Sequence, residues 1–188
     1  MEKRKTIVFI GDSLTEYFDW QKRFPGFNVS NLGIGGETVE GLLGRMDRII
    51  LGIQSPDYIF IMTGINNIAM DDYDFAGTYK QIVNKLFSVF GKSTLVIQSI
   101  LPVELSWVDN RKIEAMNSLL REIAKDFMAE YLDLYRLFAD EEGGPKSEYL
   151  SEDGVHLSER GYEVWGQVVE DFLKPGRNAT SNPLKQEP

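Results

Sequence analysis

Thr6-Ile7-Val8-Phe9-Ile10-Gly11-Asp12-Ser13-Leu14 is the stretch that decides how this chain is read. Residues 6–10 are apolar and rich in β-branched side chains, which suits a short buried strand, and Gly11 ends it. Similar runs recur at 27–32, 58–63, 94–100 and 131–134. The third and fourth of the five are nearly continuous in apolar residues, as strands covered on both faces must be. Helical periods fill the gaps. Val39, Leu42, Leu43, Met46, Ile49 and Ile50 fall on one helix face, and so do Phe75, Tyr79, Ile82, Val83, Leu86 and Phe90. Ile113, Met116, Leu120, Ile123, Ala124 and Phe127 repeat the pattern, as do Tyr162, Trp165, Val168, Val169 and Phe172, with Ser158 placed to cap that last helix. Strands alternating with helices predict an α/β fold, a five-stranded parallel sheet with helices on both faces. In such sheets a site forms at the carboxyl ends of the strands, near the switch in strand order.

Composition narrows the chemistry. The 188 residues suit one domain, expected over 1–173, with 174–188 a flexible tail because breakers replace the apolar period there. Asn178-Ala179-Thr180 in that tail matches a glycosylation sequon and is read as chance. A net charge of −9 argues against nucleic acid and anionic membrane surfaces as partners. The absence of cysteine excludes disulfides, thiolate metal sites and cysteine nucleophiles. A single histidine excludes a multi-histidine zinc site, while an all-carboxylate site for a hard cation stays open. The basic, then apolar start is too short for a signal peptide, and no run approaches the roughly 20 apolar residues of a membrane span. A cytoplasmic location is expected.

Residues that follow the strands carry reactive types: Gly11-Asp12-Ser13, Asn31-Leu32-Gly33-Ile34-Gly35-Gly36, Gly64-Ile65-Asn66-Asn67 and, further on, Asp153-Gly154-Val155-His156. Acyl transfer needs a hydroxyl, a base that takes its proton, a carboxylate that orients the base, and donors around the oxyanion. Ser13 can be that nucleophile and His156, the only imidazole, its base. Asp153 lies three residues earlier, within one tight turn of the ring. The Ser13 and Gly33 backbone N–H groups and the Asn66 amide can serve as donors. Each residue also has a plainer reading. Ser13 can cap a helix, Asp153-Gly154 can be an ordinary turn, and Asn66 and Asn67 can form turns. Asp12 is read as a structural acceptor for loop amides. The glycines from 33 to 36 lack the dinucleotide spacing and a following lysine, so they are not read as a phosphate loop.

Together the four blocks resemble those of the SGNH-hydrolase superfamily, the GDSL-type esterases and lipases, in the same order across residues 11–156. The resemblance implies a three-layer flavodoxin-like sandwich and a Ser13–His156–Asp153 triad. It also implies an oxyanion hole from Ser13, Gly33 and Asn66, with no cofactor and no metal. Asn67 departs from the family, where aspartate is usual, and is read as structural. Family members act on simple esters, lysophospholipids, thioesters and acetylated sugars. The expected function is therefore serine ester hydrolysis of a small-molecule substrate, with short-chain carboxylic esters favoured for want of an obvious lid. Two alternatives stand beside it: an O-acyltransferase that uses the same acyl-Ser13 intermediate, and a non-catalytic module that binds acylated ligands. Tyr17, Trp20, Ile34, Pro102, Trp107 and Val155 can line a substrate pocket, with Ile34, Trp107 and Val155 the selected residues. Oligomeric state is not legible.

Overall fold

The computed structural model describes residues 4–174. Five strands, β1 (Thr6–Gly11), β2 (Asn28–Gly33), β3 (Tyr58–Met62), β4 (Thr94–Gln98) and β5 (Glu130–Leu132), form one sheet in the order β2-β1-β3-β4-β5. Every pairing is parallel. Among the described residues, eight α-helices connect or flank them: α1 (Ser13–Glu16), α2 (Trp20–Arg23), α3 (Val39–Gly52), α4 (Ile65–Ala69), α5 (Ala76–Val89), α6 (Asn110–Asp126), α7 (Tyr135–Phe138) and α8 (Glu159–Leu173). This is the flavodoxin-like arrangement that the family resemblance implies, and it has the parallel sheet with helices on both faces that the alternation of periods predicts. The expected tail lies, beyond Lys174, outside the described residues, as does the sequon.

Both faces of the sheet are covered, which explains the continuous apolar runs. β3 and β4 are buried from their second residue onward. On one face α3 adjoins α5, and α5 adjoins α6. On the other, Phe9 of β1 stacks on Trp20 of α2 at 3.9 Å, and Phe60 of β3 meets Phe172 of α8 at 5.6 Å. Trp165 of α8 abuts Trp20 edge-on and donates its indole N–H to Gln98 Oε1 of β4 at 2.7 Å, so the buried amide is satisfied. Ser158 caps α8 as expected, accepting from the Gly161 N–H.

The order of strands creates the switch point. The chain leaves β1 for β2 on one side and then returns to β3 on the other, so the loops after β1 and β3 diverge over adjacent strand ends. Ser13 follows the first of these strands and Asn66 the second. Strand ends differ from the sequence reading by one or two residues, with β3 stopping at Met62 and β4 at Gln98. β5 is only Glu130–Leu132, because Leu134 turns away to donate its N–H to Ser99 Oγ at 2.9 Å. The helices α1, α2, α4 and α7, of four or five residues, are too short to show a hydrophobic period. No helix among the described residues is long and apolar enough to cross a membrane.

Candidate active site

Ser13 is the first residue of α1, and the cap is its neighbour: Asp12 Oδ1 accepts the Leu14 N–H at 3.1 Å. This turn at the mouth of β1 fixes the serine, which is 5% exposed. The other half of the site comes from far along the chain. Gly154 stands at φ +73°, and a side chain there would sit 2.6 Å from the Glu104 carbonyl oxygen. That close approach, sealed by the Glu104 N–H to the Gly154 carbonyl at 2.7 Å, folds the 151–156 loop against the loop that follows β4. Within the turn, Asp153 Oδ1 accepts the Val155 and His156 N–H groups at 2.9 and 2.8 Å. The turn role and the side-chain role expected of Asp153 therefore coincide, because its second oxygen remains for the ring.

His156 Nδ1 lies 2.6 Å from Asp153 Oδ2, and Nε2 lies 2.9 Å from Ser13 Oγ. With the carboxylate ionised, Nδ1 carries the ring hydrogen and Nε2 faces the hydroxyl as an acceptor. Burial pulls the Asp153 pKa upward, but the ring hydrogen bond, the two backbone N–H groups and the charge of His156 outweigh it and hold the carboxyl at about 2. Such an arrangement can draw a proton from a serine oxygen as it attacks a carbonyl. The Tyr17 ring stands 5.2 Å from the imidazole, at the outer side of the site.

The candidate donors differ in whether their hydrogens already have partners. Gly33 N–H donates to Asn31 Oδ1 at 3.0 Å, and a side chain at 33 would lie 2.4 Å from the Glu16 nitrogen. Glycine is required there because α1 packs directly onto β2, and its N–H already has a partner, so the expected Gly33 donor is set aside. Gly35 N–H is likewise taken, by Glu16 Oε2 at 2.7 Å. Gly36, at φ +73°, makes no N–H hydrogen bond among the described residues, nor does the N–H of Ser13. The sequence held a signal for Gly36 in the Gly35-Gly36 doublet just before Thr38, which caps α3. Asn66 Nδ2 gives one hydrogen to the Glu37 carbonyl at 2.9 Å, which places the amide beside this loop with its second hydrogen unused.

The selected pocket residues are mixed. Ile34 is 44% exposed and Trp107 63% exposed, its indole N–H held by the Ala69 carbonyl at 3.1 Å just after Asn66. Val155 is partly buried against the core. Trp20 and Pro102 are both buried, Trp20 in the stack with Phe9. Ile34 also borders an apolar recess of about 340 Å³ with Leu32, Ile49 and Ile53, on the side of α3, whose lining does not include Ser13 or His156. Among the described residues no group of three or more carboxylate or imidazole side chains is placed to hold a metal ion.

The GDSL-like Lipase/Acylhydrolase family model matches residues 9–164. Platelet-activating factor acetylhydrolase IB subunit alpha1 of Rattus norvegicus is 26% identical over 180 residues, covering 92% of this chain and 76% of that protein. A solved structure from Streptococcus pneumonia, described by reference to platelet activating factor, superposes with a TM-score of 0.83 at 29% identity, covering 92% of this chain and 85% of the other. A lipase/acylhydrolase from Enterococcus faecalis superposes at 0.74 with 22% identity over 93% and 100% of the two chains, a likeness of fold.

Proposed function

The chain belongs to the GDSL-like lipase/acylhydrolase family and is a hydrolase of ester bonds; from that premise we propose that it cleaves short-chain carboxylic esters through an acyl-Ser13 intermediate. The unbroken relay from Asp153 Oδ2 through both ring nitrogens of His156 to Ser13 Oγ carries this reading. His156 takes the proton as Ser13 Oγ bonds to the ester carbonyl carbon, and Asp153 stabilises the imidazolium. The oxyanion is met by the Ser13 and Gly36 N–H groups and the second Asn66 hydrogen. The tetrahedral centre collapses, the carbon–oxygen bond to the alcohol breaks, and His156 gives the proton to the departing oxygen. Water then adds to the acyl carbon, its proton going to His156, and breakdown returns free acid and the Ser13 hydroxyl.

Two observations favour a small acyl group. Ser13 is enclosed, with only 5% of its surface exposed. The rat relative is named an acetylhydrolase. Trp107, Ile34 and Tyr17, exposed near the site, are proposed to contact the alcohol portion, whether a simple alcohol, an acetylated sugar, a lysophospholipid-like group or a thiol. Release of nitrophenol from esters of increasing acyl length tests this. Wild type should prefer the shortest acyl groups, Ser13→Ala should lose turnover, and Asn66→Ala should lose on the order of 10²–10³ in kcat. A preference for long chains would overturn the small-acyl reading, and turnover retained by Ser13→Ala would overturn the nucleophile. Ester product made in preference to free acid when an acceptor alcohol is added would favour the acyltransferase.

A further inference from the structure

We propose that Asn67 is a positioning residue for the reaction: its amide, shared between the Glu40 and Asp72 carboxylates and bonded to the start of α3, sets where Asn66 presents its own amide. The inference rests on the reading of Asn66 as an oxyanion donor. Asn67 is 1% exposed, and each of its polar atoms is engaged. Oδ1 accepts the Val39 N–H at 2.9 Å, and Nδ2 donates to Glu40 Oε2 and to Asp72 Oδ2, both at 2.8 Å. An amide nitrogen carries two hydrogens, and here each has a carboxylate of its own.

The need for such bonds lies in the size of α4. A helix of five residues with no side-chain cap cannot hold itself in place, so its position comes from tertiary contacts. Asn66 ties it to the Glu37 carbonyl and Asn67 to Val39 and Glu40, all within the first turn of α3 or just before it. Asp72 closes the other side, its N–H returning to the Asn67 carbonyl at 2.9 Å. Removing the Asn67 bonds therefore frees the residue next to the proposed donor.

The choice of asparagine over the family's usual aspartate follows from the two partners. A carboxylate at 67 would meet two more at contact distance with no proton between them, and such groups raise one another's pKa until one is neutral. The remaining charges nearby offer little relief. Glu37 is held by Arg45 at 2.6 Å, and Lys112 lies 3.8 Å from Asp71 and over the Tyr73 ring. In the native arrangement the Asn67 amide and the Asp74 N–H keep the Asp72 carboxyl below the usual carboxylate range.

The test compares wild type, Asn67→Asp and the double variant Asn67→Asp/Asp72→Asn. It follows kcat, KM, melting temperature and the NMR signal of the Asn66 side-chain amide as pH is varied. Asn67→Asp should lose on the order of 10–100-fold in kcat with KM little changed, as a misplaced catalytic group does. The loss should deepen as pH rises and the three carboxylates ionise, and the Asn66 amide signal should move along the same curve. The amide introduced by Asp72→Asn supplies the missing donor and should restore most of the activity. A lowered melting temperature with wild-type kcat and an Asn66 signal indifferent to pH would overturn the proposal and leave Asn67 a stabilising residue. Should Asn67→Asp fail to fold, Glu40→Ala removes one acceptor of the Asn67 amide without touching residue 67, and an unmoved Asn66 signal there would overturn it equally. If wild type hydrolyses no ester faster than Ser13→Ala, the ester-hydrolase reading fails by itself, and the Asn66 signal alone decides the role of Asn67.

Discussion

Asp12 is the residue beside the proposed nucleophile that the proposed mechanism does not use. It is fully buried, with Oδ1 on the Leu14 N–H and, among the described residues, no partner for Oδ2. Burial pushes its carboxyl up to about 7, the Glu37 charge adds to the rise, and the Leu14 N–H and the His156 charge only partly offset it. The sign follows directly. Between the ordinary value of 3.8 and about 7 the folded chain binds more protons than the unfolded chain, so stability falls as pH rises through that window. Asp12→Asn keeps the cap through its carbonyl oxygen but cannot ionise. Denaturant unfolding should show wild type losing stability relative to Asp12→Asn on going from acid to neutral pH, by on the order of 4 kcal/mol at most. Parallel pH dependence in the two proteins would mean that Asp12 is not the buried acid described. Asp153 behaves oppositely. Its lowered value keeps it ionised down to about 2, and the stability its hydrogen bonds supply is present above 3.8 and lost only as pH falls below that.

At the scale of elements, the contact between β2 and α1 explains a glycine that the sequence assigned to substrate. A Cβ at Gly33 would lie 2.8 Å from the Asp12 carbonyl oxygen and 2.4 Å from the Glu16 nitrogen, both backbone atoms that cannot turn aside. Gly33→Ala should therefore destabilise the protein by roughly 1–3 kcal/mol and shift the turn that carries Ser13, lowering kcat as well. A variant of wild-type melting temperature and activity would show that α1 does not pack as tightly as described. The long elements were legible because their periods reflect simple burial: Leu42 and Met46 of α3, or Ile82 and Leu86 of α5, are fully or almost fully buried. The short ones were not, since α1 and α4 are held by tertiary bonds such as Trp20 Nε1 to the Thr15 carbonyl and Trp107 Nε1 to the Ala69 carbonyl. A bond between residues 38 positions apart leaves no local pattern to read.

For the whole molecule, the sheet order does the assembling. β1 and β3 lie side by side, so residues 13 and 66 leave neighbouring strand ends, while α8 and the loop before it carry His156 back over Ser13 across 143 positions of sequence. Ser13, Asp153 and His156 could be proposed from the sequence because acyl transfer permits few residue types and the chain offers one histidine. The proposed choice of Gly36 over Gly33 was not legible there, because which of several glycines has an unused N–H depends on the partners Asn31 and Glu16 supply in space. The central claim is that these distant residues act as one site through a covalent acyl-Ser13. Its most direct test is rapid acid quenching of wild type and Asp153→Asn with nitrophenyl acetate, followed by peptide mass mapping. One acetyl group on the peptide that contains Ser13, formed before steady-state release of acid and absent from Ser13→Ala, is the predicted result. Sustained turnover with no acetyl at Ser13, or an equal modification in Ser13→Ala, would contradict it.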